Sequence, residues 1–570
     1  MPSQLDLQLN AIMGRLLAPG SQFELTKVRR GGQEYPAFIH APPTLPALFA
    51  FAAERHGDAP FLIDGDQRMT FAEALALARR LASGLLSRHS IAKGENVGIA
   101  ARNSANWIVA YMAVLIAGGC ATLLNGWWTG QELASGIKLT GCRLVLIDAE
   151  RARRLSDLDH DAALEVFCHG DSESGFGELL ADEVHSLPEV GSEDRATILF
   201  TSGSTGAARG AWSEHRAVVQ AAMNYAAQSL TVLTQLAGAG KPPQGQPCAL
   251  VNVPLFHVTG EVPVLLQSFL IGRKLVIMGK WDAREAMRLI EAERVSYFVG
   301  VPLMSYEIAT HPERSDFDLS SCLSIVAGGA PRPIEHVGRI RDAMPDGFPL
   351  LGYGLTETNA VGCANFNENY LAKPGSTGPA SLPLSDLAIL SADGAHLVRG
   401  ETGEIAIRSI ANFGGYWNNL EATAASLRPD GYFLTGDLGY LDEDGYLFIV
   451  DRKKDIIIRG GENIACLEVE QALYAHPGVA EACVFGVPDA KYGEVPAAVF
   501  LARDGHVLDC EMLREFVACR IAAFKVPAMV WQWQSALPRL GTEKIDRKAL
   551  RETYADRAYA DKTSGAKGDG

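Results

Sequence analysis

The chain lacks an excess of positive charge, paired cysteines and any apolar run long enough to span a membrane. Its 570 residues carry 51 Lys and Arg against 67 Asp and Glu, a formal net charge of −16. A general nucleic-acid binder needs a basic face, so that class is excluded. Local basic sites for small anions are not. The ten cysteines, Cys120, Cys142, Cys248 and Cys466 among them, form no Cys-x-x-Cys pair and no zinc-finger spacing. They read as small buried hydrophobes of a reducing compartment. Residues 1–6 lack the basic-then-apolar pattern of a secretory signal. The most apolar stretch, residues 107–121, falls short of the roughly 18 to 20 residues that a spanning helix requires. It reads as a buried helix ending at Gly118-Gly119, with a strand over 121–124. The expectation is a cytoplasmic protein with no transmembrane segment; peripheral membrane association and oligomeric state stay open. Internal repeats are absent as well.

What is present is a long alternation. At this length more than one domain is expected. Residues 1–45 read as an extension with one amphipathic helix (Leu5, Leu7, Leu9, Ile12, Met13, Leu16) and a Pro-rich approach. From 46 onward, helical patterns such as 71–87 alternate with short apolar runs at 97–100, 144–147, 274–277, 297–301 and 324–327. That alternation predicts an α/β fold of parallel sheets covered by helices. Residues 236–245, rich in Gly and Pro, predict a loop, read as a lid or a plain surface insertion. Around 380–450 the runs become short and β-like with Asp-Gly turns, the mark of hairpins and of a small β-barrel-like part. From Lys454 a compact α+β unit follows, with a helix over 468–475 and a strand over 481–487. The tail, 563–570, reads as disordered. The expected division is an extension (1–45), a large domain (46–453), a small mobile domain (454–554) and a disordered tail (555–570).

The chemistry starts at Leu199-Phe200-Thr201-Ser202-Gly203-Ser204-Thr205-Gly206-Ala207-Ala208-Arg209-Gly210. Glycines let backbone approach an anion, hydroxyls and N–H groups donate to phosphate oxygens, and Arg209 adds a cation. No Gly-Lys-Ser/Thr closes it, so it is not a Walker loop. Downstream come Gly352-Tyr353-Gly354-Leu355-Thr356-Glu357-Thr358, then Thr435-Gly436-Asp437, then Asp451-Arg452-Lys453-Lys454-Asp455, then Lys544-Ile545-Asp546-Arg547. In this order the set resembles the adenylate-forming (AMP-binding) superfamily: acyl-CoA synthetases, firefly luciferase and peptide-synthetase adenylation domains. The resemblance runs from about residue 49 to about residue 550.

The resemblance implies a two-step acid–thiol ligase. A carboxylic acid and ATP form an acyl-adenylate with Mg2+, and CoA then takes the acyl group. Two anions meet in the first step, so cations and N–H donors must offset their repulsion. By resemblance, Thr201, Ser202, Gly203, Ser204, Thr205, Gly206 and Arg209 hold the β- and γ-phosphates, and Glu357 holds the metal. Thr356 donates to the α-phosphate. Tyr353, beside Gly354, stacks on adenine. Gly328, Gly329, Ala330 and Pro331 form the wall beside adenine and carboxylate. Asp437 and Arg452 take the ribose. Lys544 is the catalytic lysine, Lys454 the hinge, and Gly460 and Gly461 line the pantetheine tunnel. His257 and Val258 flank the acyl carboxylate; a satisfied core histidine is the alternative. Three positions depart from the family pattern: Arg209, Glu543 beside Lys544, and Leu351 before Gly-Tyr-Gly; Cys466 is a milder change. The expected substrate is a medium- or long-chain fatty acid, with an aromatic or alicyclic acid next. Glu261 keeps an amino acid open. The other readings are an acyl-AMP ligase loading a carrier protein and a weakly active nucleotide-binding sensor.

Overall fold

The computed structural model describes residues 3–169, 174–184, 186–202, 208–242, 244–328, 332–503, 505–539 and 544–554. Two sheets with a parallel core dominate. The first has seven strands, in the order Gly415–Tyr416, Ala208–Glu214, Arg195–Ser202, Cys120–Leu123, Asn96–Ala100, Leu144–Asp148 and Ala163–Phe167. The second has eight, in the order Cys363–Asn365, Phe348–Tyr353, Ser324–Ala327, Tyr297–Gly300, Cys248–Val251, Lys274–Ile277, Pro60–Asp64 and Gln67–Thr70. The inner pairings are parallel; antiparallel partners close both edges of the second sheet and one edge of the first, whose other edge strand, Ala163–Phe167, is parallel. This is the sheet pattern expected from the alternation of apolar runs and helices.

The largest apolar cluster takes side chains from both sheets (Val97, Leu123 and Leu146; Leu62, Val251 and Leu275) together with the helix Ala105–Ile116. All twelve residues of that helix are buried, as a helix apolar all round requires. Ser104 caps it by accepting from Trp107 N at 3.1 Å. The helix Phe71–His89 opens on a capping box of Thr70 and Glu73 and stops at left-handed Ser90.

A third sheet is antiparallel throughout: Asp386–Leu390, Gly403–Arg408, Phe433–Leu441 and Leu447–Arg452. Asp444-Gly445 turns between its last two strands, Gly445 at φ +83°. It ends at Arg452. The fourth sheet begins at Ile457–Arg459 and adds Glu462–Ile464, Val479–Asp489, Gly493–Ala502 and Met529–Trp533, with the helices Cys466–Tyr474 and Cys510–Ala518.

Two expectations change. The extension is more than a helix and an approach. After the helix Gln4–Leu16 comes a hairpin, Leu25–Arg30 with Gln33–Phe38. Gly31-Gly32, both at positive φ, make its turn, and Tyr35, Ala37 and Phe38 give it a buried face. The Gly- and Pro-rich loop starts later than expected, because Leu236–Gly238 finish the long helix His215–Gly238; Leu236 is 3% exposed, and its burial outweighs the weak helix propensity of Gly238. The disordered tail lies outside the described residues. Seven of the ten cysteines are buried and none is bridged. Among the described residues no helix is long and apolar enough to cross a membrane.

Candidate active site

The parallel strands Cys248–Val251, Tyr297–Gly300, Ser324–Ala327 and Phe348–Tyr353 all end on one edge of the second sheet. The segments that follow them carry His257, the helix Pro302–Thr310, Gly328, and Gly354–Glu357. In open parallel sheets this edge is where ligands bind. Tyr353 is the last residue of its strand, and its hydroxyl donates to Asp437 Oδ2 at 2.7 Å. Burial, then the Asp437 charge, raises the Tyr353 phenol well above its ordinary value, so it stays a donor.

Asp437 is set by the third sheet. It faces Arg452 across an antiparallel pair of strands, and Arg452 Nε lies 3.3 Å from Asp437 Oδ1. Asp437 is 5% exposed while the Arg452 side chain is 44% exposed, so the carboxylate is fixed and the guanidinium reaches outward. Thr435 Oγ1 accepts from Asp437 N at 3.1 Å and donates to Ile405 O at 2.8 Å. That tie explains why Thr-Gly-Asp keeps one geometry, with Gly436 at φ +73°.

Glu357 sits in the short turn Thr356–Thr358, 7% exposed. Tyr416 Oη donates to Glu357 Oε1 at 2.7 Å, and Phe413 N donates to its carbonyl at 2.8 Å. Burial raises the Glu357 carboxyl above its usual range, with the Tyr416 hydrogen bond and the Arg452 charge pulling the other way. Arg209 stands on a strand, paired in register with Thr201, and its guanidinium lies 5.4 Å from the Tyr416 ring centre. One tyrosine thus touches both Glu357 and Arg209. Sequence reasoning missed Tyr416; the run Phe413-Gly414-Gly415-Tyr416-Trp417 was its available signal.

Lys544 comes from beyond the fourth sheet, yet it lies half-buried beside this cluster. Burial first, then the charge of Arg452, lowers its ammonium to about 8, opposed by Asp437 and Glu357. The same lysine charge reaches His257, which burial and Lys544 together lower to about 3. His257 Nδ1 accepts from Thr259 N at 3.2 Å, so the ring is neutral and fixed by its own turn. Val258 is 2% exposed and packs into the main core. Gly328 N donates to Gly300 O at 3.3 Å, which keeps the ends of two strands together.

Leu351 is 7% exposed and packs with Ala327, Val337 and Tyr370. Gly460 and Gly461, at φ +59° and +94°, turn between two strands of the fourth sheet, exposed and next to Tyr492. They are not brought to the Asp437–Glu357–Lys544 cluster in this arrangement. Lys454 is exposed in the turn joining the third and fourth sheets. Gly203, Ser204, Thr205, Gly206, Gly329, Ala330, Pro331 and Glu543 lie outside the described residues. Glu261 is fully buried and accepts from Tyr111 Oη at 2.8 Å. It therefore faces the helix Ala105–Ile116, and an amino-acid substrate loses its one nearby acidic partner.

Among the described residues no group of three or more His, Cys, Asp or Glu side chains could hold a metal ion. A lone carboxylate at Glu357 fits Mg2+, which keeps waters and is shared with phosphate oxygens, rather than a metal caged by protein alone.

Comparison with known proteins agrees with this geometry. The profile of the AMP-binding enzyme family matches residues 49–417, and that of the AMP-binding enzyme C-terminal domain matches 468–544. A long-chain-fatty-acid–CoA ligase of Bacillus subtilis is 32% identical over 560 residues, covering 91% of this chain and 97% of its own length. A feruloyl-CoA synthase of Amycolatopsis is 34% identical over 494 residues, 86% of this chain and 95% of its own. The crystal structure of ATP-bound MatB from Rhodopseudomonas palustris superposes with a TM-score of 0.78 at 28% identity, covering 90% of this chain and 99% of that one. The fold, the motif order and these matches agree that the chain belongs to the AMP-binding enzyme family.

Proposed function

We propose that this chain activates a medium- or long-chain fatty acid with ATP and passes the acyl group to CoA. Its class is AMP-forming acid–thiol ligase, the activity carried by the CoA ligases and synthetases it resembles. In the first step a carboxylate oxygen bonds to the α-phosphorus, and the bond to the bridging oxygen of diphosphate breaks. In the second a thiolate sulfur bonds to the acyl carbon and AMP leaves, the thiol proton going to solvent.

The observation that carries the reading is the gathering of Asp437, Arg452, Glu357 and Lys544 from separate elements into one cluster, with the two carboxylates buried and the Arg452 guanidinium reaching outward. Asp437 accepts from the ribose hydroxyls with Arg452 on the same sugar. Tyr353 turns its ring face to adenine while its hydroxyl stays on Asp437. Thr356 and Lys544 donate toward the oxygens where two anions meet, in a site dry enough to make each donor count. His257, neutral and held by Thr259, packs beside the acyl carboxylate without adding charge. Thr201, Ser202, the four residues 203–206 and Arg209 take the outer phosphates, and Gly328 to Pro331 form the wall opposite Tyr353. A magnesium ion held by Glu357 and phosphate oxygens would supply further charge neutralisation. Residues 46–453 and 454–554 act as two domains joined at Lys454. Gly460 and Gly461 offer the pantetheine path when the smaller domain presents its other face.

The fatty-acid assignment is supported by the apolar segment around His257, where Phe256, Val258 and Val262 are buried, and by the name of the Bacillus subtilis relative. The feruloyl-CoA synthase match supports an aromatic acid as the second reading. The deciding experiment measures AMP and thioester production with ATP, Mg2+ and CoA across aliphatic, aromatic and alicyclic acids. A chain-length optimum supports the proposal. Preference for a ring acid replaces the substrate class, AMP without thioester points to a carrier-protein acceptor, and nucleotide binding without turnover points to a sensor.

A further inference from the structure

Lys544 can serve the first step only if the C-terminal unit is docked, and the docking contact is visible far from the connecting turn. Arg503, just past the strand Gly493–Ala502, donates through Nη1 to Tyr306 Oη, with its guanidinium 5.0 Å from the Tyr306 ring centre. Tyr306 lies on the helix Pro302–Thr310, which starts where the acyl-pocket strand Tyr297–Gly300 ends. His336, on the helix Ile334–Ala343, stacks on Tyr306 with ring centres 4.1 Å apart and planes at 25°. Its other neighbour is Tyr474 of the C-terminal unit, edge-on at 6.3 Å. Arg339 Nη1 also donates to Tyr306 Oη, at 2.9 Å.

This junction is built from cations and rings. Arg332, 4% exposed, donates to Ser305 Oγ at 3.4 Å and lies 5.7 Å from the Tyr370 ring centre. Its Nε and Nη1, and Arg503 Nε, are buried without hydrogen-bond partners. Burial, with Arg503, Arg332 and Arg339 adding to it, lowers His336 to about 3, so His336 is neutral. No carboxylate among the described residues forms an ion pair with Arg332, Arg339 or Arg503. A contact made of cation–π stacking and one shared hydroxyl, with like charges crowded round it, holds a unit in place without locking it there.

We propose that Tyr306 and Arg503, seated on His336, are positioning residues that latch the C-terminal unit in the arrangement that delivers Lys544 for acyl-adenylate formation. The inference rests on the two-step reading above. Neither residue touches the reacting groups. Both act through the place they give Lys544. The second step has no use for an ammonium at the α-phosphate, so release of this contact does not harm it. The latch also ties docking to the helix that begins at the acyl-pocket strand and to the one that follows the adenine wall.

The test separates the half-reactions. Acid-dependent exchange of labelled diphosphate into ATP reads the first, and CoA-dependent consumption of a synthetic acyl-adenylate reads the second. In R503M, which keeps most of the aliphatic stem, exchange falls about tenfold while the thioester step stays within about twofold. Y306F, which keeps the ring stack and loses the hydroxyl, falls by a smaller factor in exchange alone. A third measurement needs no substrate. Trypsin cleaves the full-length chain at Arg452, Lys453 and Lys454 several-fold faster in R503M than in the wild type. Equal losses in both half-reactions, a loss confined to the thioester step, unchanged exchange or unchanged cleavage would each overturn the latch. If the wild type exchanges diphosphate with no acid, the ligase reading fails, and the cleavage rate alone decides the latch.

Discussion

Lys544 holds its proton against its surroundings. Its ammonium, lowered to about 8 by burial and by Arg452, is present below that pH and lost above it. A step that needs the charge is flat below about pH 7 and falls as pH rises through about 8. Diphosphate exchange measured at subsaturating acid and ATP, where the profile reports the free enzyme, checks this. Exchange that stays constant to pH 9.5 in the unliganded-enzyme (kcat/KM) profile would remove Lys544 from its role. Lys544→Met lowers exchange by about 100- to 1000-fold, the usual loss on deleting one donor to developing negative charge, and spares consumption of acyl-adenylate. The sequence marked this lysine through the motif Lys-Ile-Asp-Arg. It could not mark the desolvation, which arises only when distant segments exclude water together. Tyr416 and Glu261 make the same point. Neither belongs to a motif read from the sequence, yet one holds Glu357 and the other bonds to Tyr111 in the core.

At the scale of elements, the glycine motif is a strand end that must turn sharply. A Cβ on Gly354 would lie 2.1 Å from Ala360 O, because Asn359 and Ala360 adopt φ of +48° and +64° and fold the backbone back over it. Asn359 is held there by donating from Nδ2 to Ser213 Oγ and Ala411 O, and Ala360 O accepts from Tyr225 Oη at 2.6 Å. Gly354→Ala therefore costs about 2 kcal/mol or more in unfolding free energy. Gly352→Ala, with nothing within 4 Å of its Cβ, stays within about 0.5 kcal/mol. Urea denaturation of both variants reads the difference, and equal stabilities would show that the turn relaxes. Most strands and helices were legible because period and length agree with the final burial, as in the helix Phe71–His89 and the strand Leu144–Asp148. The hairpin Leu25–Arg30 with Gln33–Phe38 was not. Its first strand, Leu-Thr-Lys-Val-Arg-Arg, is mostly polar, and its buried partners lie on other elements.

For the whole molecule, the extension works as a clamp. Asp6 Oδ1 accepts from Asn369 Nδ2 and from Tyr446 Oη, both at 2.8 Å, joining the first helix to the helix Asn367–Ala372 and to the last turn of the third sheet. Gln220 of the long helix His215–Gly238 accepts from Phe38 N and donates to Phe38 O. Arg30 donates to Asn412 O and lies 3.4 Å from Glu214. Removing residues 1–17 lowers the thermal midpoint by about 2 to 5 °C, because the hairpin and its ties remain. Calorimetry of the truncated chain decides; an unchanged midpoint would make the first helix an ornament of the fold.

By itself the sequence determined the α/β layout of parallel sheets and helices, the short β-like region after it, the α+β unit at the end, and the motif order that identifies the family. These follow from local periodicity, turn chemistry and residue type, all of which act over a few positions. The tertiary structure decided which charges meet and in what solvent. It set Asp437 against Arg452 and Tyr353, turned Tyr416 toward both Glu357 and Arg209, bonded Glu261 to Tyr111, seated Arg503 on Tyr306 and brought Lys544 to the cluster. Such contacts join residues far apart along the chain, and their strength depends on how much water packing has removed, a quantity that no local pattern carries.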